Sequence, residues 1–397
     1  MNSTISGAAG PGANLSALRS HNAALVLRLL RDAGEDGVSR LELADRTGLT
    51  PQAVSKITAR LRAEGLAAEA GQRASTGGKP ATALRLVPGA RHAVGLHLDR
   101  DELTAVLVDL AGTPVAARTA PFDFGAGADQ ALAAATAEVR ALLADADGAV
   151  GGGPGGAVGG GLGGAAVGGS DGGVGGGAVV GGLLGVGVAA PGPLDHGSGV
   201  LHRVTGFPQW DGFPLRAALA ERLALPVVLD KDTNAAALGL TTAGTAESSA
   251  YLHLGTGLGA GLVLGGGVYR GARTDAGEFG HQVIQLDGPP CGCGNHGCLE
   301  ALCLAAVARG DRKDAARLLG VGAANLVRLL DIDRVLLGGR VVLADPEPYV
   351  RGVAAMLAED SARTSRPTVP VDIVERGGRA VVEGAARLVL APLFALG

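Results

Sequence analysis

Aromatic residues are scarce in this chain, with 1 Trp, 3 Tyr and 6 Phe among 397 residues. Hydrophobic residues nevertheless make up 47% of it, so any core is built largely from Ala, Val and Leu. Charge is also sparse at 18%, and the net charge is only −4. There are four cysteines, all between Cys291 and Cys303, which is too crowded for a disulfide framework and well suited to a metal in a reducing cytoplasm. No basic residue precedes Arg19 and no apolar stretch precedes a cleavage site, so no targeting segment is expected. Glycine is the exception to this sparseness, at 68 residues, well above the average usage of about 7%. No G-x-y period runs through the chain, which excludes collagen, and long stretches of regular apolar periodicity exclude a wholly disordered chain.

The length allows two or three domains of about 100 to 200 residues. Mean hydropathy is +0.29, and Asp171 is the only charge between Asp147 and Asp195, which invites a membrane reading. However, 20 of the 35 residues from Gly148 to Gly182 are Gly, and each costs about 1 kcal/mol relative to Ala in a helix, so no spanning helix is expected there. The segment reads instead as a disordered insertion in a surface loop, a coil with an r.m.s. span on the order of 30 Å.

Residues 1–90 hold 11 Lys/Arg against 7 Asp/Glu, whereas the other 307 residues hold 23 against 31. A small basic head on an acidic body suits a nucleic-acid-binding module. Leu18, Leu25, Leu29 and Leu30 form a helical stripe over Leu15 to Asp32. Ser39 followed by Glu42 is a capping box for a short second helix ending near Thr47 and Gly48. Thr50 and Pro51 open a third helix, with Val54, Ile57 and Leu61 facing inward and Gly65 as its stop. Leu66 to Ala70 and Ala81 to Val87 then flank a polar turn as a two-stranded wing. This order is a winged helix-turn-helix. Its geometry assigns Gln52, Ser55 and Lys56 to base edges or phosphates, Arg60 to the backbone, and Arg73 and Lys79 to the flanking groove.

The body alternates strands and helices. Strands are expected at Ala93 to Leu98, Leu103 to Leu110, Leu184 to Ala189, Val227 to Asp230, Ala250 to Leu254, Ala260 to Leu264 and Arg334 to Leu337. Helices are expected at Asp129 to Leu143, Phe213 to Leu223, Asn234 to Leu240, Ala315 to Leu330, Pro348 to Glu359 and Ala380 to Leu390. This is an α/β body with mixed sheets. Cys291, Cys293 and Cys298 give C-x-C-x4-C, and His281 lies ten residues upstream. Three thiolates and an imidazole suit a closed, tetrahedral, structural Zn²⁺ site, the alternative being free buried thiols. Cys303 reads as a small core residue rather than a fifth ligand.

The head segments LRSHNAALVLRLLRDAG, SRLELADRTGLTPQAVSKITARLRAEGL and STGGKPATALRL, followed by GVGVAAPGPLD, DTNAAALG, LGTGLGAGLV, AGEFGHQ and CGCGNHGCLE, run in one order along the chain. In these motifs the chain resembles the ROK family (repressor, open reading frame, kinase), specifically its transcription-regulator branch. The resemblance implies a winged helix-turn-helix over 1–88 and a two-lobed actin-like ATPase body of ribonuclease H-like fold. The first lobe spans 89–230, with 148–182 as insertion and the helix of 380–397 packed on it. The second spans 231–379 and holds the zinc motif.

Family positions that bind sugar hydroxyls map to Glu278, His281 and Glu300, and the kinase general base maps to Asp232. Lys231 stands where sugar kinases of the family carry Asn, making Asp232 a candidate salt-bridge partner for it, and Gly206 replaces another sugar-binding Asn. A cation beside the pocket would favour a phosphorylated or acidic sugar. Gly255, Thr256, Gly257 and Gly259 keep the second phosphate motif. The first is lost: His97 replaces its Asp, Asp99 and Arg100 its two glycines, and Asp101 its Thr, so ATP is not an expected ligand. The resemblance implies a cytoplasmic, sugar-responsive transcriptional regulator. In this reading it is a repressor of carbohydrate-metabolism genes, acting as a homodimer or tetramer on a double-stranded DNA operator, with a sugar or sugar-phosphate effector and no membrane partner. The alternative is an ATP-dependent sugar kinase with an appended DNA-binding head.

Overall fold

A computed structural model describes residues 15–72, 82–151, 182–241, 247–374 and 378–394. Most of the Gly-rich segment lies outside these residues, as do Arg73 and Lys79. The chain divides into two units, 1–90 with 391–397, and 91–390.

The first unit opens with α1 (Leu15–Asp32), then β1 (Val38–Ser39), α2 (Arg40–Thr47), α3 (Pro51–Ala63), β2 (Ala67–Gln72) and β3 (Thr82–Leu86). Local chemistry sets these boundaries. Ser39 Oγ accepts from the Glu42 amide at 3.2 Å, and Glu42 Oε2 accepts from the Ser39 amide at 2.8 Å. Gly48 ends α2 at φ 67°, a conformation that favours glycine. Thr50 Oγ1 accepts from the Ala53 amide at 3.2 Å, and Pro51 fills the first turn of α3. On α3 the buried face is Val54, Thr58 and Leu61, with Ile57 only half-buried. The Thr58 hydroxyl can turn inward because it bonds back to Val54 O at 2.9 Å. On α1 the stripe is also shifted: Val26 and Leu27 are buried, while Leu25 is half-buried. The wing gains a third strand, because β1 pairs antiparallel with β3.

The second unit holds two sheets of the same order. In the first, β4 (His92–Leu98), β5 (Glu102–Asp109) and β6 (Pro114–Pro121) form an antiparallel meander, and β7 (Leu183–Ala190) and β10 (Val227–Lys231) extend it in parallel beside β4. α4 (Ala128–Gly151) precedes β7, and the short pair β8 (Leu194–Asp195) and β9 (Val200–Leu201) and then α5 (Leu215–Leu223) separate β7 from β10. α6 (Asp232–Leu240) leads to the second sheet, in which β11 (Ser249–Leu254), β12 (Leu258–Leu264) and β13 (Gly267–Val268) form the meander. α7 (Leu299–Ala308), α8 (Arg312–Leu330), β14 (Arg334–Gly338), α9 (Arg340–Ala344), α10 (Pro346–Thr364), β15 (Val371–Ile373) and α11 (Arg379–Leu390) complete the unit. β14 and β15 extend the sheet in parallel from β11. This repeated order of a meander plus two parallel strands is what a two-lobed ribonuclease H-like body requires.

Each sheet packs one face on its own helices, α4 and α5 in the first lobe and α7, α8 and α10 in the second. Between the lobes α6 and α11 pack against each other through Ala235, Ala236, Ala380 and Ala385, with α11 against β4 and β7 and α6 against β11 and β12. Small residues allow this close approach. A Cβ on Gly187 would fall 1.8 Å from Ala385 O, and one on Gly95 would fall 2.0 Å from Val382 O.

Candidate functional site

The carboxyl ends of β7 and β10, the start of α6, the β11–β12 turn and the segment before α7 converge on one cleft of about 690 Å³. Lys231, Asp232, Glu278, His281 and Glu300 all line it, so the cleft brings together every sugar-site candidate read from the sequence. Strand ends of a parallel ladder followed by a helix start are where α/β folds place ligands.

Lys231 closes β10, and its side chain is only 4% exposed. Its Nζ donates to Glu278 Oε1 at 2.5 Å and to Ala276 O at 3.1 Å. The partner of Lys231 is therefore Glu278, 47 residues away, and not its neighbour Asp232. The lysine stem runs across Gly192, where a Cβ would meet it at 3.0 Å. Asp232 begins α6, and its Oδ1 accepts from the Thr233 amide at 2.6 Å. Glu300, in the first turn of α7, accepts from the Leu258 amide at 2.8 Å and so fixes the β11–β12 turn.

Behind the cleft lies a residue that the sequence reading missed. Asp230 is fully buried and accepts from Arg270 Nε at 2.7 Å, Asn234 Nδ2 at 2.9 Å and the Lys231 amide at 2.8 Å. This carboxylate ties the end of β10 to Arg270, beyond β13. The only local signal was an acidic residue at the end of an apolar strand.

His281, Cys291, Cys293 and Cys298 place their ligand atoms within 4.8 Å of one another. The Cys293 and Cys298 sulfurs are 3.7 Å apart, and Cys291 Sγ lies 3.7 Å from His281 Nδ1. Sulfurs bound tetrahedrally at about 2.3 Å from one ion stand about 3.8 Å apart, so the donor set and its spacing fit Zn²⁺. His281 turns its other nitrogen to the cleft, with Nε2 3.9 Å from Glu278 Oε2. Cys303 stands apart, fully buried, with its thiol pushed up to about 12 by burial and directed at Ala315 O.

Side chains occupy the other end of the cleft. The β4–β5 turn presents Asp99 and Arg100 to it. The Arg100 guanidinium lies 5.6 Å from the Phe207 ring centroid, and a Cβ on Gly257 would meet its Nη2 at 3.6 Å. Asp101 is bound across the cleft by Arg340 Nη1 at 2.8 Å. Two amides of the Gly255–Gly259 turn are already engaged, Gly255 with Gly257 O at 2.9 Å and Leu258 with Glu300. Burial lowers the pKa of His97, under this turn, more than Asp232 and Asp99 raise it.

In the first unit Gln52, Ser55, Lys56 and Arg60 are all exposed on one face of α3, and Arg60 pairs loosely with Glu64 at 3.6 Å. Among the described residues no helix is long and apolar enough to cross a membrane.

The ROK family profile matches residues 177–308, and a winged helix-turn-helix DNA-binding profile matches residues 24–67. The xylose repressor of Caldicellulosiruptor bescii is 24% identical over 96% of this chain and 98% of its own length. The DNA-binding transcriptional dual regulator NagC of Escherichia coli is 28% identical over 73% of this chain and 64% of its own. Among solved structures, a ROK family transcriptional regulator described as a homologue of the E. coli MLC protein covers 95% of this chain and 98% of its own, at 21% identity and a TM-score of 0.72. The ROK hexokinase of Thermus thermophilus covers 74% of this chain and 96% of its own, at 29% identity and a TM-score of 0.56. The chain therefore combines a ROK-family domain with an amino-terminal winged helix-turn-helix DNA-binding domain.

Proposed function

We propose that this chain is a cytoplasmic, sugar-responsive transcriptional repressor whose affinity for a double-stranded DNA operator changes when a sugar binds between the lobes of its body. The observation that carries the reading is one chain holding both an exposed α3 face of Gln52, Ser55, Lys56 and Arg60 and a carboxylate-lined cleft that Asp99 and Arg100 border at the β4–β5 turn. Its similarity to repressors over nearly the whole length supports the same reading.

In the DNA complex α3 enters the major groove, and a homodimer sets two such helices on successive half-sites. In the cleft, Asp232, Glu278 and Glu300 accept from sugar hydroxyls, while Lys231 holds Glu278 in place. Four carboxylates, Asp99, Asp232, Glu278 and Glu300, face two cations, Arg100 and Lys231, and Lys231 is already paired. A phosphate ester meets net repulsion there, so the effector is a neutral sugar. A zinc ion held by His281, Cys291, Cys293 and Cys298 would supply rigidity, directing His281 Nε2 at the cleft. The sugar favours a different lobe closure and alters operator affinity by linkage.

Selection of preferred duplex DNA, repeated with a panel of neutral and phosphorylated sugars, tests this reading. Lys56→Ala and Arg60→Ala weaken operator binding about tenfold and leave sugar binding intact. Glu300→Ala abolishes the sugar response while DNA binding persists. Retained operator affinity in both basic variants overturns the α3 assignment. Robust ATP-dependent sugar phosphorylation, at the about 1–100 s⁻¹ of working kinases, establishes the enzyme reading instead.

A further inference from the structure

The cleft does not end at its inner wall. Thr205, Glu278 and His281 also border a second chamber of about 1050 Å³, open to solvent, between the segment after β9 and the Cys291–Cys298 knuckle. The two chambers differ in chemistry. Asp99, Arg100, Lys231, Asp232, Glu278 and Glu300 put six charged side chains on the inner one, whereas Pro193, Val204, Pro208 and the glycines Gly206, Gly292 and Gly294 form half of the outer one, where Arg203 and Asp275 add charge to the shared Glu278. Gly206 lies at φ 87°, and no atom stands within 4 Å of where its Cβ would be, so a side chain is missing from an otherwise open wall.

Arg203 is exposed and has no hydrogen bond or ion pair with any other described residue. Asp275 is half-exposed, with only a 3.9 Å contact to Arg273. A guanidinium fork and a carboxylate free to engage ligand, set beside apolar proline and valine surface, match the hydroxyl edge and the C–H face of a sugar ring.

We propose that the effector is a glycoside of at least two sugar units, one in the inner chamber and the adjoining unit in the outer chamber, passing between Thr205 and Glu278. This rests on the sugar-responsive reading and narrows the ligand from a monosaccharide to a disaccharide or longer.

The test is isothermal titration of the full chain with matched pairs: xylose and xylobiose, glucose and cellobiose, N-acetylglucosamine and chitobiose. At least one disaccharide binds about tenfold tighter than its own monosaccharide. Pro208→Trp, which fills the outer chamber from an exposed position, and Arg203→Ala each remove that gain. Neither residue lines the inner chamber, so the monosaccharide affinity measured alongside reports that chamber separately. Equal affinities within every pair overturn the outer subsite and leave the sugar reading standing, as does a gain that survives both variants. Binding of no sugar, by protein that is folded by circular dichroism, overturns both.

Discussion

Lys231 and His97 are both buried ionisable residues, and they differ in what surrounds them. The Lys231 Nζ is held by Glu278 and by Ala276 O. Replacing it by Met leaves a carboxylate without its cation at the cleft wall, and the expected cost is about 1–3 kcal/mol, measured by urea denaturation. A variant as stable as the parent would show that water satisfies Glu278 equally well. For His97 burial disfavours the charged form. Burial lowers its pKa from 6.5, His253 adds to the lowering, and Asp232, Asp99 and Glu102 oppose it. The folded chain then takes up a proton at lower pH than the unfolded chain does. Its stabilising contribution is complete above pH 6.5 and is lost as pH falls below that value. The slope is at most about 1.4 kcal/mol per pH unit. Thermal melts of His97→Gln between neutral and mildly acid pH should show a shallower decline than the parent, and parallel curves would place the acid sensitivity elsewhere.

At the scale of elements, α11 is closely constrained by its neighbours. Besides its alanine contacts, it makes close backbone approaches at three glycines: Gly187 on β7, Gly95 on β4, and its own Gly384 against Ala235 O, where a Cβ would fall at 1.8 Å. Gly187→Ala therefore forces backbone against backbone, and the expected loss is at least about 3 kcal/mol, the upper end for overpacking. Equilibrium unfolding measures it, and a near-neutral result would mean that α11 shifts freely. Part of this architecture was legible in the sequence. Ser39 with Glu42, Thr50 with Pro51, and the C-x-C-x4-C spacing declare their roles within a few residues, so the α2 and α3 boundaries and the ligand cluster followed directly. The strand β6 was missed because Pro114 and Pro121 bound it and its alternation is carried by Ala and Thr. The face of α3 was misjudged at Ile57 because a threonine that satisfies its own hydroxyl can take a core position. The pairs Lys231–Glu278 and Asp230–Arg270 join residues 47 and 40 positions apart, a separation that no local pattern encodes.

At the scale of the molecule, part of the glycine excess serves close packing. Outside the Gly148–Gly182 segment, glycines such as Gly95, Gly187 and Gly384 are the sites where α11 meets its neighbours without intervening side chains. That helix runs directly into a last turn, Ala391–Phe394, which groups with the first unit rather than the second. Phe394 is 1% exposed, and the Arg31 guanidinium at the end of α1 lies 4.6 Å from its ring centroid. The winged helix thus depends on the far end of the chain for part of its core, burying an aromatic side chain worth about 3–5 kcal/mol on truncation to Ala. A small unit of this size has little stability to spare. Ending the chain after Leu390 should therefore lower the melting temperature of the winged-helix unit and weaken DNA binding, while sugar binding by the body persists. Phe394→Ala should reproduce the loss, and Arg31→Met only a fraction of it, because a cation over an aromatic face contributes about 0.5–2 kcal/mol, depending on its burial. Calorimetry of the full chain, with the two units followed as separate transitions, distinguishes these outcomes. A truncated chain whose winged helix melts unchanged would show that α1, α2 and α3 are self-sufficient and that the last turn is merely attached to them.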